Sequence, residues 1–170
     1  MIWGIHYMIS YAPIADIMSL RVLISIIATQ STTLLYGIDV TSSFQSNIFT
    51  YINKRHIIRL PVFYTTWYNS KWPRHKLDPS QTKNYVLQTA RSIQGTKDAG
   101  RDWFILLDKF FQSTMHMVPA TVTKGIYIWK TSTTTSYLAL ATADILLATS
   151  NHQQYTHLCE KLHQYFDYTT

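Results

Sequence analysis

The sequence predicts an α+β fold, an antiparallel sheet with helices packed on one face. Three observations predict it. The pattern of apolar runs gives the order helix, strand, loop, strand, helix, three strands, helix. The chain has 170 residues, 46% of them hydrophobic, enough for one domain with a core. Only 14% are charged, which argues against a disordered chain.

Each element follows from its own residues. In "IMSLRVLISIIATQ" (17–30), Met18, Val22, Ile26 and Thr29 recur at helical spacing. Leu20, Leu23, Ile24 and Ile27 widen the apolar surface, so this helix is expected to be well buried. "TLLYGIDV" (33–40) is short, β-prone and ends near an acid. "IIRLP" (57–61) reads as a strand closed by proline. Residues 62–84 contain Pro73, Pro79 and the basic-aromatic cluster "KWPRHK" (71–76), and a long loop is expected there. Tyr85 to Leu87 suggest a strand. From Ala99, the residues Trp103, Leu106, Leu107, Phe110 and Phe111 form a helical stripe. "GIYIW" (125–129), "YLALA" (137–141) and "ILLAT" (145–149) are strands, the first two joined by the turn-prone "KTSTTTS". The last helix, within "HQQYTHLCEKLHQYF", puts Tyr155, Leu158, Leu162 and Tyr165 or Phe166 on one face.

The formal net charge is +6, which suits a polyanionic partner and equally suits a basic surface of no consequence. The single cysteine, Cys159, excludes an internal disulfide. The start "MIWGIHYMISYAP" lacks a basic region followed by an apolar run, so no signal peptide is expected. The longest apolar stretch is interrupted by Arg21 and is too short to span a bilayer, so no membrane partner is expected.

Three kinds of chemistry can be weighed from the residues. His152, His157, Cys159 and His163 share the last helix, but a zinc site needs more ligands at defined spacing. Trp72, Arg74 and Lys76 interleave in a way that suits a phosphate backbone and a stacked base, or a plain solvated loop. Asp39 ends one apolar strand and Asp144 lies between two others. A carboxylate in such a place is costly unless it is paired, hydrogen-bonded or bound to a metal. Two acids brought together by an antiparallel sheet make a site for a hard divalent cation; the alternative is that each satisfies turn amides.

The wording of these segments resembles a known family. "IDVTSSFQSNI" (38–48), "RSIQGTKDAGRDW" (91–103) and "YLALATADILLAT" (137–149) resemble, in this order, the core motifs of copia-type retrotransposon reverse transcriptases. "HYMISYAPIADIMSLRVLI" (6–24) resembles the segment before the first of them, and "IIRLPVFYTTWY" (57–68) the stretch that ends in Leu-Pro and an aromatic run. The match covers roughly residues 4–166.

The resemblance implies a right-hand polymerase fold, here mostly palm with incomplete fingers and no thumb. It implies RNA-directed DNA synthesis from deoxynucleoside triphosphates on an RNA template and DNA primer, with two magnesium ions. It implies an intracellular setting, in a cytoplasmic virus-like particle or the nucleus. Asp39 matches the first catalytic acid. Phe44 matches the aromatic position that excludes a ribose 2′-hydroxyl. Gly95, Lys97 and Arg101 lie in the segment that runs along template and incoming nucleotide. For nucleic-acid binding through basic residues, Arg55, Arg59, Arg74, Lys76, Lys97 and Arg101 are the candidates.

One departure stands out. Family members carry two adjacent aspartates at the hairpin turn. Here the four positions read Ala141, Thr142, Ala143, Asp144. Ala143 replaces the first aspartate and Asp144 matches the second. Alanine has no oxygen to give a metal, and losing even an outer partner costs about 10–100-fold in affinity or activity. The resemblance therefore implies a degenerate, inactive polymerase. The alternative is a non-catalytic module that binds RNA or an RNA–DNA hybrid.

Overall fold

The computed structural model describes residues 12–41, 57–90, 92–96 and 98–169. Phe44, Arg55 and Lys97 lie outside the described residues, as does most of the segment 6–16.

In chain order the elements are α1 (Ile17–Ala28), β1 (Leu34–Val40), β2 (Ile57–Arg59), α2 (Tyr64–Lys71), a 3-10 turn (Pro79–Asn84) and β3 (Val86–Gln88). There follow α3 (Ala99–Lys109), a π-helical turn (Phe110–Thr114), β4 (Val118–Pro119), β5 (Ile126–Lys130), β6 (Thr135–Ala141), β7 (Asp144–Thr149), α4 (His152–His163) and β8 (Tyr168–Thr169). Six strands form one sheet in the order β4-β5-β6-β7-β1-β8, and every neighbouring pair is antiparallel. β2 and β3 form a separate two-stranded pair. The expected α+β class with an antiparallel sheet is present. The two-residue edge strands β4 and β8 carry too little pattern to be read from sequence.

Successive side chains of a strand point to opposite faces, and this splits the core in two. Leu138 and Leu140 of β6, Ile145 and Leu147 of β7, and Ile38 and Val40 of β1 pack against Trp103 and Leu107 of α3, Phe110 and Phe111, and Leu158 and Leu162 of α4. Ala139 and Ala148 face the other way, into a smaller cluster with Ile126 of β5 and Leu23 and Ile27 of α1. Helices therefore cover both faces, where one covered face was expected. The small side chains of Ala139 and Ala148 leave room for α1, which the periodicity of the strands does not reveal.

α1 begins where Asp16 caps it, accepting from the amides of Met18 (3.0 Å) and Ser19 (2.9 Å). Only Leu23 and Ile27 of this helix are buried; Ile17, Met18, Val22, Ile24 and Ile26 are exposed. The expectation of a well-buried helix is corrected, because a helix lying on a narrow strip of alanines buries one stripe alone. The segment ahead of it docks on the sheet, with the Ala15 amide donating to the Leu140 carbonyl at 2.8 Å. On the opposite face, Gln154 of α4 ties the helix to the hairpin. Its Oε1 lies 2.6 Å from Ser136 Oγ and 2.8 Å from Thr149 Oγ1.

Residues 62–84, expected as a loop, hold α2 and the 3-10 turn. The helix rests on contacts between aromatic rings three and four residues apart, Tyr64 to Trp67 and Tyr64 to Tyr68. The prolines delimit it rather than dissolve it: Pro61 precedes it and Pro73 follows its end.

Candidate catalytic site

The two candidate acids meet. Asp39 of β1 stands directly opposite Asp144 of β7. The neighbouring Val40 amide donates to the Ala143 carbonyl at 3.1 Å. Hydrogen-bonded and non-hydrogen-bonded pairs alternate along an antiparallel ladder, so Asp39 and Asp144 form a non-hydrogen-bonded pair, the closer kind. Both are exposed. Ile38, Val40 and Ile145 fill the α3–α4 core, so alternation sends both carboxylates to the α1 face of the sheet. Two like charges directly opposite repel, and a cation between them turns that cost into attraction.

The pair stands at the rim of a cleft of about 460 Å³. Its apolar floor and wall come from Leu20 of α1, Gly37, Ala139, Ala141 and Leu146. Gly37 matters for shape, since nothing lies within 4 Å of where a side chain would stand. Thr169 of β8 also lines the cleft and pairs with Asp39 on its other side. The polar rim and apolar floor make room for a ligand with a charged end.

The hairpin tip is held by a contact that sequence reasoning missed. Thr142 takes a left-handed backbone conformation, φ 56°, which is strained for a β-branched residue. The buried indole of Trp103 donates from Nε1 to the Thr142 carbonyl at 2.7 Å. Trp103 thus joins α3 to the turn from which Asp144 emerges. In the sequence it reads only as part of an apolar stripe, because hydrogen bonding by an indole leaves no periodic signal.

The other candidates lie apart from the cleft. Gly95 occupies the third position of a turn closed by the Thr96 amide on the Ile93 carbonyl at 3.0 Å, with φ 90°. That conformation requires glycine. Arg101 lies in the first turns of α3, half-buried. Neither lines the cleft. Arg74 and Lys76 are exposed on the segment after α2. Phe44 and Lys97, outside the described residues, gain no position. Among the described residues no three His, Cys, Asp or Glu side chains are grouped for a metal. Also among the described residues, no helix is long and apolar enough to cross a membrane.

The residues fit part of a magnesium site. Magnesium is held by one or two carboxylates together with substrate phosphates, and Asp39 and Asp144 are two carboxylates on one face. Ala143 adds no donor.

No curated protein and no solved structure shows a significant match to the chain. The family model for reverse transcriptase (RNA-dependent DNA polymerase) matches residues 1–170. With that match over its full length, the chain belongs to the reverse transcriptase family.

Proposed function

We propose that this chain is a copia-type reverse transcriptase palm whose nucleotidyl-transfer site has decayed to two acids and no longer supports synthesis. The observation that carries the proposal is the direct pairing of Asp39 with Asp144 at an open cleft, beside an alanine that supplies no ligand. The copia assignment rests on five segments in order, "HYMISYAPIADIMSLRVLI", "IDVTSSFQSNI", "IIRLPVFYTTWY", "RSIQGTKDAGRDW" and "YLALATADILLAT".

Asp39 and Asp144 would hold magnesium, which when bound offsets the charge that builds on the transferring phosphate. The chain's own part is positioning. β1 and β7 fix the two carboxylates in register, Trp103 holds the turn, and Leu20 walls the cleft. A methyl group at Ala143 leaves the cation short of one oxygen ligand. The second reading, a module that binds RNA or a hybrid without catalysis, is favoured by that same gap.

Primer extension tests the proposal. The purified chain is given an RNA template, a DNA primer, deoxynucleoside triphosphates, and magnesium or manganese. No extension above a blank without protein is expected; extension would overturn the inactive reading. Manganese binding, followed by water-proton relaxation, should be weak in the parent and weaker still in Asp39→Asn. Equal relaxation in both would remove Asp39 from the metal site.

A further inference from the structure

We infer that residues 63–76 form a stacking platform for single-stranded nucleic acid, separate from the acid pair. The inference rests on the nucleic-acid reading above but needs neither Asp39 nor Asp144.

Four aromatic rings gather on α2 and just past it. Tyr64 lies 5.4 Å from Trp67 and 5.9 Å from Tyr68, centroid to centroid. Trp72 lies 5.4 Å from Trp67 and 4.8 Å from Tyr68. An aromatic cluster of this size normally fills a core. This one does so only in part: Tyr64 and Tyr68 are half-buried, but Trp67 is 52% exposed and Trp72 41%. Between residues 57 and 90 only Thr65 is buried.

The surroundings select the partner. Lys71, Arg74, His75 and Lys76 are all exposed, and no acid occurs from residue 57 to 77. Among the described residues Lys71, Arg74 and Lys76 make no ion pair. Exposed rings flanked by unpaired cations match the chemistry of a polyanion with free π-faces, that is, unstacked bases on a phosphate backbone. A duplex hides those faces.

The platform is also pre-shaped. Asn69 Nδ2 donates to the Leu77 carbonyl at 2.8 Å, and the Leu77 amide donates to Asn69 Oδ1 at 2.8 Å. This double clamp folds the cationic segment back beside the helix, so less ordering remains to be done on binding.

The test is fluorescence anisotropy of a short labelled single strand, oligo-U or oligo-dT, titrated with the full chain in the presence of a chelator. Binding with tryptophan quenching is expected. With three phosphate contacts, log affinity should fall against log salt with a slope of about −2. The double variant Trp67→Ala/Trp72→Ala should bind about five-fold or more weakly, while Trp67→Phe/Trp72→Phe keeps most of the affinity. Arg74→Glu/Lys76→Glu should weaken binding and flatten the salt slope.

Equal binding of duplex and single strand would overturn the inference. So would unchanged affinity in the alanine variant, or binding only to vesicles of anionic lipid. Photocrosslinking of a 4-thiouridine strand to the unaltered chain gives a measure that no unfolded variant can confuse. Crosslinks should map to residues 64–76, and their absence there would refute the platform. Strand binding is read with a chelator present and primer extension with a metal present, so failure of the platform and failure of the polymerase reading show separately.

Discussion

At the scale of single residues, the hairpin tip concentrates the interest. Thr142 sits in left-handed backbone space two residues before Asp144. Its side chain is exposed. A left-handed residue other than glycine costs roughly 1–2 kcal/mol, and glycine gives back about 0.5–1 kcal/mol through unfolded-state entropy. Thr142→Gly should therefore stabilise the fold by about 0.5–1 kcal/mol, seen as a higher urea midpoint at unchanged slope. A lower midpoint would mean that the threonine side chain makes a contribution that its exposure hides. The Trp103 indole remains in place in that variant, because it bonds to a backbone carbonyl that glycine also carries.

The acids themselves were legible in the sequence, since an isolated carboxylate among apolar strand residues is conspicuous. Their meeting was not legible from spacing. More than a hundred residues separate them in the chain, and only the β1–β7 register shows that they pair. Ala143 needed the comparison with a family pattern; as an alanine in a turn it carries no signal of its own. Trp103 needed the fold.

At the scale of elements, α1 is set by two contacts at its start. The first is the Asp16 cap. Hydrogen bonds from Ser19, and from the Thr123 hydroxyl at 2.9 Å, hold this exposed carboxyl well below its usual range, at about 2 against 3.8. Its folded pKa is depressed, so its contribution is fully present above 3.8 and is lost as pH falls through about 2. Asp16→Ala should lower the urea midpoint at neutral pH, and the gap to the parent should close as pH falls through that window. A gap independent of pH would assign the effect to something other than the charge.

The second contact is at Gly125, with φ 78°. A Cβ there would stand 2.5 Å from the Ala15 nitrogen and 2.7 Å from the Ile14 carbonyl carbon. Both neighbours are backbone and cannot rotate away. Gly125→Ala should destabilise the fold by about 2–4 kcal/mol, combining the backbone conformation with overpacking. It should also release the segment ahead of α1, seen as faster hydrogen exchange at Ala15. Exchange unchanged at that amide would show that the segment does not depend on the close approach. The long apolar helices and strands were readable because their periods are strong; α2, held by ring contacts within a segment read as loop, was not. The side of the sheet that α1 occupies was not, because it is decided by the small residues Ala139, Ala148 and Gly125, to which a hydrophobic pattern is blind.

At the scale of the whole molecule, burial is uneven, and stability should follow it. The six-stranded sheet lies between two apolar clusters, with Leu138, Leu147, Leu158 and Leu162 fully buried. Residues 57–90 bury only Thr65 and hold a two-stranded pair of three residues a side. Such a pair is marginal alone, and the exposed aromatic rings of α2 gain little from burial. Local opening free energies range from near zero up to the global value, according to burial. Hydrogen exchange followed by mass spectrometry should therefore rank the chain in two tiers. Amides of 57–90 should exchange through local opening at a rate indifferent to low urea, while those of β6 and β7 exchange only with global unfolding. Equal protection in both would show that 57–90 is braced by contacts that its burial does not reveal. A saturating single strand should then slow exchange in 64–76 and leave β6 and β7 as they were. Protection rising in the sheet instead would place the nucleic-acid contact at the acid cleft rather than on the platform.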